Sequence, residues 1–214
     1  AITLGSKLKG IQVGNFGDAA LFSIDHSKPI NAFIGGLIYT RNNELYEKLK
    51  DLQNSADDLP VERQKAIWEK FLFERKYYNS ANYGKSFLID KVNRYVFRER
   101  SSYLTDDYTK TPSSTYPYPA KLPSFLAQLG LFELGRWKNE KKRRQDLLKS
   151  FIELSASLGL TELLPSPYFD SNTEIVPLRF VYTHPEADVI RRRMSKFIDI
   201  SWFWFDNPIV ACRD

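Results

Sequence analysis

The stretch FSIDHSKPINAFIGGLIYT, residues 22–40, limits more than any other what this chain can build. Two apolar runs flank a polar turn and a glycine pair: AALFSI at 19–24 and GGLIYT at 35–40. Each run has the length and residue types of a strand, and the turn chemistry between them predicts a hairpin. The turn holds one lysine, Lys28. A lysine in such a turn is ordinarily a solvated surface charge. Its neighbours here point elsewhere, because Ser23, Ser27, Gly35 and Gly36 are all small. Small residues let a backbone approach a bulky ligand closely, and serine hydroxyls bond phosphate oxygens. A lysine held among apolar strands loses hydration, which favours its neutral, nucleophilic amine. These parts suit a Schiff base with an aldehyde cofactor that carries a phosphate.

The rest of the chain gives a mixed order of elements. Residues 1–18 are polar, with turns marked by Gly5, Gly10, Gly14 and Gly17. A helix is expected after the hairpin, with Asn42 or Asn43 as its cap. Pro60 opens another helix, on which Ile67, Phe71 and Tyr78 share a face, and residues 61–100 read as a helical pair. Residues 101–123 hold four prolines and read as a linker. A long helix follows, with Ser124 as its cap and Gly159 as its stop. Residues 173–183 read as a strand bent at Pro177, 185–197 as a helix, and 198–205 as an aromatic strand.

Composition closes several alternatives. Hydrophobic residues make up 43% of the 214, which argues against disorder. The single cysteine, Cys212, has no intrachain partner, so the chain reads as reduced and cytoplasmic. No apolar run is long enough to cross a membrane as a helix. The KKRR run at 141–144 invites a nucleic-acid reading, but on a helix its charges fan around the axis, so a solvated surface is expected. His26 and His184 suggest no metal site: His26 is expected to bond locally, and His184 to cap a helix.

The stretch GNFGDAALFSIDHSKPINAFIGGLIYT, residues 14–40, resembles the DegT/DnrJ/EryC1/StrS family of sugar aminotransferases, with its pattern G-S-F-G-D, F-S-F-H-P-T-K and G-E-G-G. By this resemblance Lys28 matches the lysine that binds pyridoxal 5'-phosphate, and Ser23 the serine that bonds the cofactor phosphate. Gly17 and Asp18 match the glycine–aspartate that opens the strand, and Gly35 and Gly36 the glycine pair. Relatives with histidine at the lysine position dehydrate sugars instead. A second stretch, residues 121–144, resembles the family's helix R-M-S-E-L-Q-A-A-L-G-L-x-Q-L and the basic run after it. Here Asp25 and His26 replace the common histidine–proline pair. Pro119 stands where an asparagine usually reaches the partner subunit, and Lys121 where an arginine usually follows.

The resemblance implies an α/β chain, the C-terminal part of a fold-type-I aminotransferase. Residues 1–50 would be the last strands of the cofactor-binding domain, 51–115 a helical insertion, and 116–214 a small α+β domain. The family's acidic partner of the pyridine nitrogen would lie before Ala1, so the chain is expected to continue a longer polypeptide. The implied reaction moves an amino group, with glutamate as donor, to a nucleotide-linked keto sugar in surface-glycan synthesis. The implied assembly is a homodimer, with no nucleic acid or membrane partner. The competing expectation is a catalytically incomplete piece acting as a helical interaction module.

Overall fold

The computed structural model describes residues 4–77 and 119–194, with a few positions between 79 and 92. Among them helices and strands are mixed, as expected of an α/β chain. The chain opens with a hairpin that sequence reading treated only as turns. Strands β1 (Lys7–Leu8) and β2 (Ile11–Gln12) pair antiparallel across Lys9 and Gly10. Both turn residues have positive φ, 49° and 77°, the primed geometry that matches the twist of a tight hairpin.

The hairpin expected at 19–40 is present. Strand β3 (Ala19–Ser23) runs antiparallel to β4 (Gly36–Thr40), in a register that pairs Ala19 with Thr40 and Ser23 with Gly36. Helix α1 (Asn43–Ser55) follows, and Asn42 is its cap: its Oδ1 accepts the Leu45 N–H at 3.1 Å. Strand β5 (Asp57–Asp58) then leads to helix α2 (Val61–Tyr77). Pro60 precedes α2 and its carbonyl accepts from Gln64 N–H, 2.9 Å. Most of the second helix of the expected pair, the 101–118 part of the linker and the aromatic strand at 198–205 lie outside the described residues, as does Cys212.

Strand β6 (Ala120–Lys121) pairs in parallel with β5, and the long helix α3 (Ser124–Ser157) leaves from it. Ser124 is not its cap. Pro123 takes that place and makes no side-chain capping bond; its carbonyl instead accepts from the N–H groups of Leu126 and Ala127, both at 3.0 Å. The helix ends just short of Gly159. The expected strand at 173–183 shrinks to β7 (Thr173–Glu174), which pairs with β1. Beyond Val176 the Pro177 carbonyl is taken by Arg144 Nη1 at 3.1 Å, so this carbonyl goes to a side chain rather than to a ladder. Helix α4 (Ala187–Met194) comes last among the described elements.

Two apolar clusters hold these pieces together. Phe33, Leu59, Ile67 and Leu126 form one; Ile24, Ile30 and Ala32 form the other, backed by Leu4, Leu37 and Trp137. Leu122 packs against both. Ile67 and Leu126 are fully buried, and each contributes about 2 kcal/mol of hydrophobic burial. The expected inward face of α2 is therefore real in Ile67 and Phe71.

A polar clamp fixes the N-terminal hairpin to α3. Glu174 accepts from Lys7 Nζ at 2.7 Å, Lys141 Nζ at 3.0 Å and Gln145 Nε2 at 3.1 Å. Beside it the buried Ser6 hydroxyl accepts the Val176 N–H at 2.9 Å. The bonds from Lys7, Lys141 and Gln145 lower the Glu174 pKa from 4.5 to about 2.

Because the folded value lies below the ordinary one, the stabilising share of Glu174 is complete above pH 4.5 and drains away as the pH falls towards 2. Its side chain is 39% exposed, so solvent screens the pairs. Glu174→Gln should cost about 1 kcal/mol near neutrality. That deficit should vanish in urea titrations carried out near pH 2, and a deficit equal at both pH values would contradict the clamp.

Candidate functional site

Lys28 sits on a turn that is braced from within. Past the last β3 residue the ladder continues irregularly: Ile24 N–H donates to Gly35 O, His26 N–H to Phe33 O, and Ala32 N–H to Ile24 O, at 2.9–3.0 Å. Lys28 N–H closes a tight turn on Asp25 O, 2.9 Å. Asn31 ties the loop crosswise, since its Nδ2 donates to His26 O at 3.1 Å and its Oδ1 accepts Phe33 N–H at 2.9 Å. Underneath, Pro29, Ile30, Ala32 and Phe33 are buried.

The packing explains two costly choices. Phe33 has φ 75°, rare for a bulky residue. Its ring is held in the core, edge-on to Phe71 of α2 at 6.1 Å. Gly35 has φ +123°, and an added Cβ there would meet Leu122 Cδ1 at 2.8 Å and Ile24 Cδ1 at 3.3 Å. Gly130 on α3 gives the turn its seat, since a Cβ there would stand 3.4 Å from that of Ala32.

The side chains expected to carry chemistry lie at the rim of this turn. Lys28 is half-buried and its Nζ donates to Ser27 Oγ at 3.2 Å. Ser23, the last residue of β3, is also half-buried. Its Oγ accepts a long bond from Asp25 N–H, 3.4 Å, and among the described residues the hydroxyl donates to no acceptor.

Asp25 and His26 form a pair beside the lysine. His26 Nδ1 meets Asp25 Oδ1, and His26 N–H donates to the same oxygen, so the imidazole bonds locally as expected. The hydrogen bond to Asp25 raises the His26 pKa above 6.5; burial and Lys28 oppose this, while the charges of Asp25 and Glu74 add to it. Burial works against ionised Asp25, but the His26 bonds and charge, with help from Lys28, outweigh it and lower its pKa. Glu74 of α2 adds a third group. Burial raises its pKa, against the pull of Lys70, whose Nζ is 3.8 Å away, and of His26.

Glu74 was missed by sequence reading. A signal existed, since Glu74 lies three residues after Phe71 and seven after Ile67, on the face of α2 that turns inward. An acid on an apolar face invites attention, and nothing in the sequence alone says which turn it faces.

Gly17 and Asp18 directly precede β3, as expected, and line a cleft of about 370 Å³ with Gly14, Asn15, Tyr39, Arg41 and Asn42. Ser23 ends the strand that Asp18 precedes, about 16 Å away along an extended chain, so this cleft is separate from the lysine turn. Lys121 lies in β6 opposite Asp58. His184 Nδ1 accepts Glu186 N–H at 3.0 Å, the expected capping role. The KKRR charges do fan out: Lys141 pairs with Glu174, Lys142 with Asp146, and Arg143 and Arg144 with Glu140. Among the described residues no His, Cys, Asp and Glu cluster could hold a metal, and no helix is long and apolar enough to cross a membrane.

Comparison with known proteins gives the class of this chain of mixed helices and strands. The DegT/DnrJ/EryC1/StrS aminotransferase family matches residues 1–201, and the chain belongs to that family. It is similar to the UDP-4-amino-4,6-dideoxy-N-acetyl-beta-L-altrosamine transaminase of Campylobacter jejuni subsp. jejuni serotype O:23/36 (strain 81-176), 35% identical over 74 residues. That stretch covers 35% of this chain and 18% of the relative, so the alignment spans less than a fifth of the relative's length.

The glycine at the turn's exit provides a direct check on this geometry. Gly35→Ala should destabilise the chain by about 2–3 kcal/mol, from backbone strain and the collision with Leu122. Gly10→Ala, with a positive φ but open space around it, should cost only about 1 kcal/mol. Urea midpoints measure both, and equal losses would show that the turn is not seated on Leu122.

Proposed function

We propose that this chain carries the lysine site of a pyridoxal-phosphate-dependent sugar aminotransferase. The observation behind it is the half-buried Lys28 amine on a braced turn, with the uncommitted Ser23 hydroxyl at the end of the preceding strand. This donor set fits the cofactor: an amine for its aldehyde and a hydroxyl for its phosphate. Family membership supports the reading independently of the geometry.

In this reading Lys28 and Ser23 hold the cofactor, the lysine by covalent condensation and the serine by a hydrogen bond. Bound pyridoxal phosphate supplies an electron sink for the bonds at an amino carbon. Lys28 Nζ would serve as the base that takes a proton from the alpha carbon of the amino donor. Ser23 fixes how far the cofactor stands from that nitrogen. The stiff turn fixes the backbone from which the Lys28 side chain leaves.

The substrate is a keto sugar linked to a nucleotide, in keeping with the UDP-linked amino sugar in the relative's name. Glutamate is the proposed amino donor. The arrangement proposed for the chain is the end of a fold-type-I cofactor domain at 1–50, a helical connection at 51–115 and a small domain at 116–214, in a homodimer.

Two variants test this. The 214-residue chain mixed with pyridoxal phosphate should gain a visible absorbance, and borohydride should fix the cofactor mass on the Lys28 peptide. Lys28→Ala should abolish both. Ser23→Ala should weaken pyridoxal phosphate binding about 10- to 100-fold while leaving the affinity for pyridoxal, which has no phosphate, unchanged. Label on another lysine, or an equal loss for both aldehydes, would sink the assignment.

A further inference from the structure

The cleft at the far end of β3 and β4 has no role in the reading above, and it brings together opposite charges that do not neutralise each other. Asp18 and Arg41 each stand one position past Ala19 and Thr40, the last pair of the ladder. The two segments are tied there, since Thr40 Oγ1 donates to the Asp18 carbonyl at 2.6 Å. Opposite charges that face each other across an antiparallel pair ordinarily bond. Here they do not. Arg41 turns back towards its own strand, and its Nε donates to the Tyr39 hydroxyl at 2.9 Å. Among the described residues the Arg41 Nη atoms and the Asp18 carboxylate make no hydrogen bond or ion pair. Both residues line the same cleft of about 370 Å³, with Tyr39 beside them.

We propose that this cleft binds a free α-amino acid, its carboxylate on the Arg41 guanidinium and its ammonium on the Asp18 carboxylate. The ligand class follows from the lining. A simple anion would be repelled by Asp18 and a simple cation by Arg41, whereas a zwitterion satisfies both. The bond to Tyr39 uses only the Nε of Arg41, so both Nη groups stay available for paired bonds to a carboxylate. Asn42 adds a donor to the same wall: its Oδ1 is spent on the Leu45 N–H, and its Nδ2 makes no bond among the described residues. The opposite wall is firm. Gly14 has φ +105°, and an added Cβ there would meet the ring of buried Phe22 at 2.9 Å, so its backbone lies directly on β3. The volume suits a small ligand, at the lower end of the range of about 300–1,000 Å³ for such sites. Asp18 and Arg41 are both exposed, so water competes for each charge and the binding is weak. The site stands apart from Lys28, and the inference does not depend on the aminotransferase reading.

The cofactor-free 214-residue chain, isotope-labelled, is titrated with L-alanine while the backbone amides of Asn15, Gly17, Asp18 and Asn42 are followed by NMR. Their shifts should saturate, with half-saturation at about 1–10 mM. Alaninamide lacks the carboxylate and N-acetylalanine lacks the ammonium, and each should bind about tenfold more weakly than alanine. Arg41→Gln should bring alanine down to the affinity of alaninamide. Asp18→Asn should bring it down to that of N-acetylalanine. Each variant then loses the preference for one charged group and keeps the preference for the other, a pattern that misfolding does not produce. Shifts that stay linear in alanine concentration overturn the proposal. So does an N-acetylalanine or alaninamide that binds the wild type as tightly as alanine, and so do saturating shifts confined to the 24–35 turn.

Discussion

The turn between β3 and β4 is buried from beneath, and the rest of the structure depends on that burial. A hairpin tip is normally the most solvated part of its sheet. Here Ile24, Ile30, Ala32 and Phe33 face inward, and α2, α3 and Leu122 close over them. The polar residues of the same stretch, 23–33, are left at the rim, where Ser23, Ser27 and Lys28 lie half-buried. A lysine between two apolar runs therefore does not contradict a buried hairpin. It follows from a turn whose apolar and polar residues point opposite ways.

Three acidic groups depart from their ordinary ionisation, for different reasons. Glu174 is met by two lysines and a glutamine at a well-solvated spot, and its work is to tie β7 to β1 and α3. At Asp25 burial opposes the charge, but the bonds and charge of His26 outweigh it and lower the pKa, whereas at Glu74 burial outweighs the pull of Lys70 and His26 and raises it. Glu174 is thus a clamp between strands and helix, while Asp25 is paired locally within its own turn.

What could be read from the sequence was local. The two apolar runs and the glycine pair gave the 19–40 hairpin, Asn42 the cap of α1, Pro60 the start of α2, and the apolar spacing of α2 its inward face. The motif around Lys28 also gave the family. What could not be read was long-range. Lys7 pairs with Glu174 across 167 positions, and Asp57 with Ala120 in parallel, and no local propensity carries either partnership. The failed strand at 173–183 has the same cause: alternation was present, but Arg144 of α3 took the Pro177 carbonyl. Ser124 lost its capping place because the carbonyl of Pro123 already serves the first turn. Glu74 was hidden for the related reason that its importance lies in the turn it faces.

Phe33 shows why such a turn can stay fixed. A phenylalanine at φ 75° is strained by about 1–3 kcal/mol and would relax if anything gave way. Four restraints oppose relaxation: its N–H is held by Asn31, its carbonyl by His26 N–H, its ring by Phe71, and its exit by Gly35 against Leu122. Burying the ring returns about 2–3 kcal/mol, comparable to the strain. The balance makes the turn conditional on α2 and α3 being in place. Any motion that withdraws α2 would release Phe33 and loosen His26 with it, because both are joined through the same backbone bond. The backbone that carries Lys28 is thus coupled to the packing of helices that lie outside the hairpin.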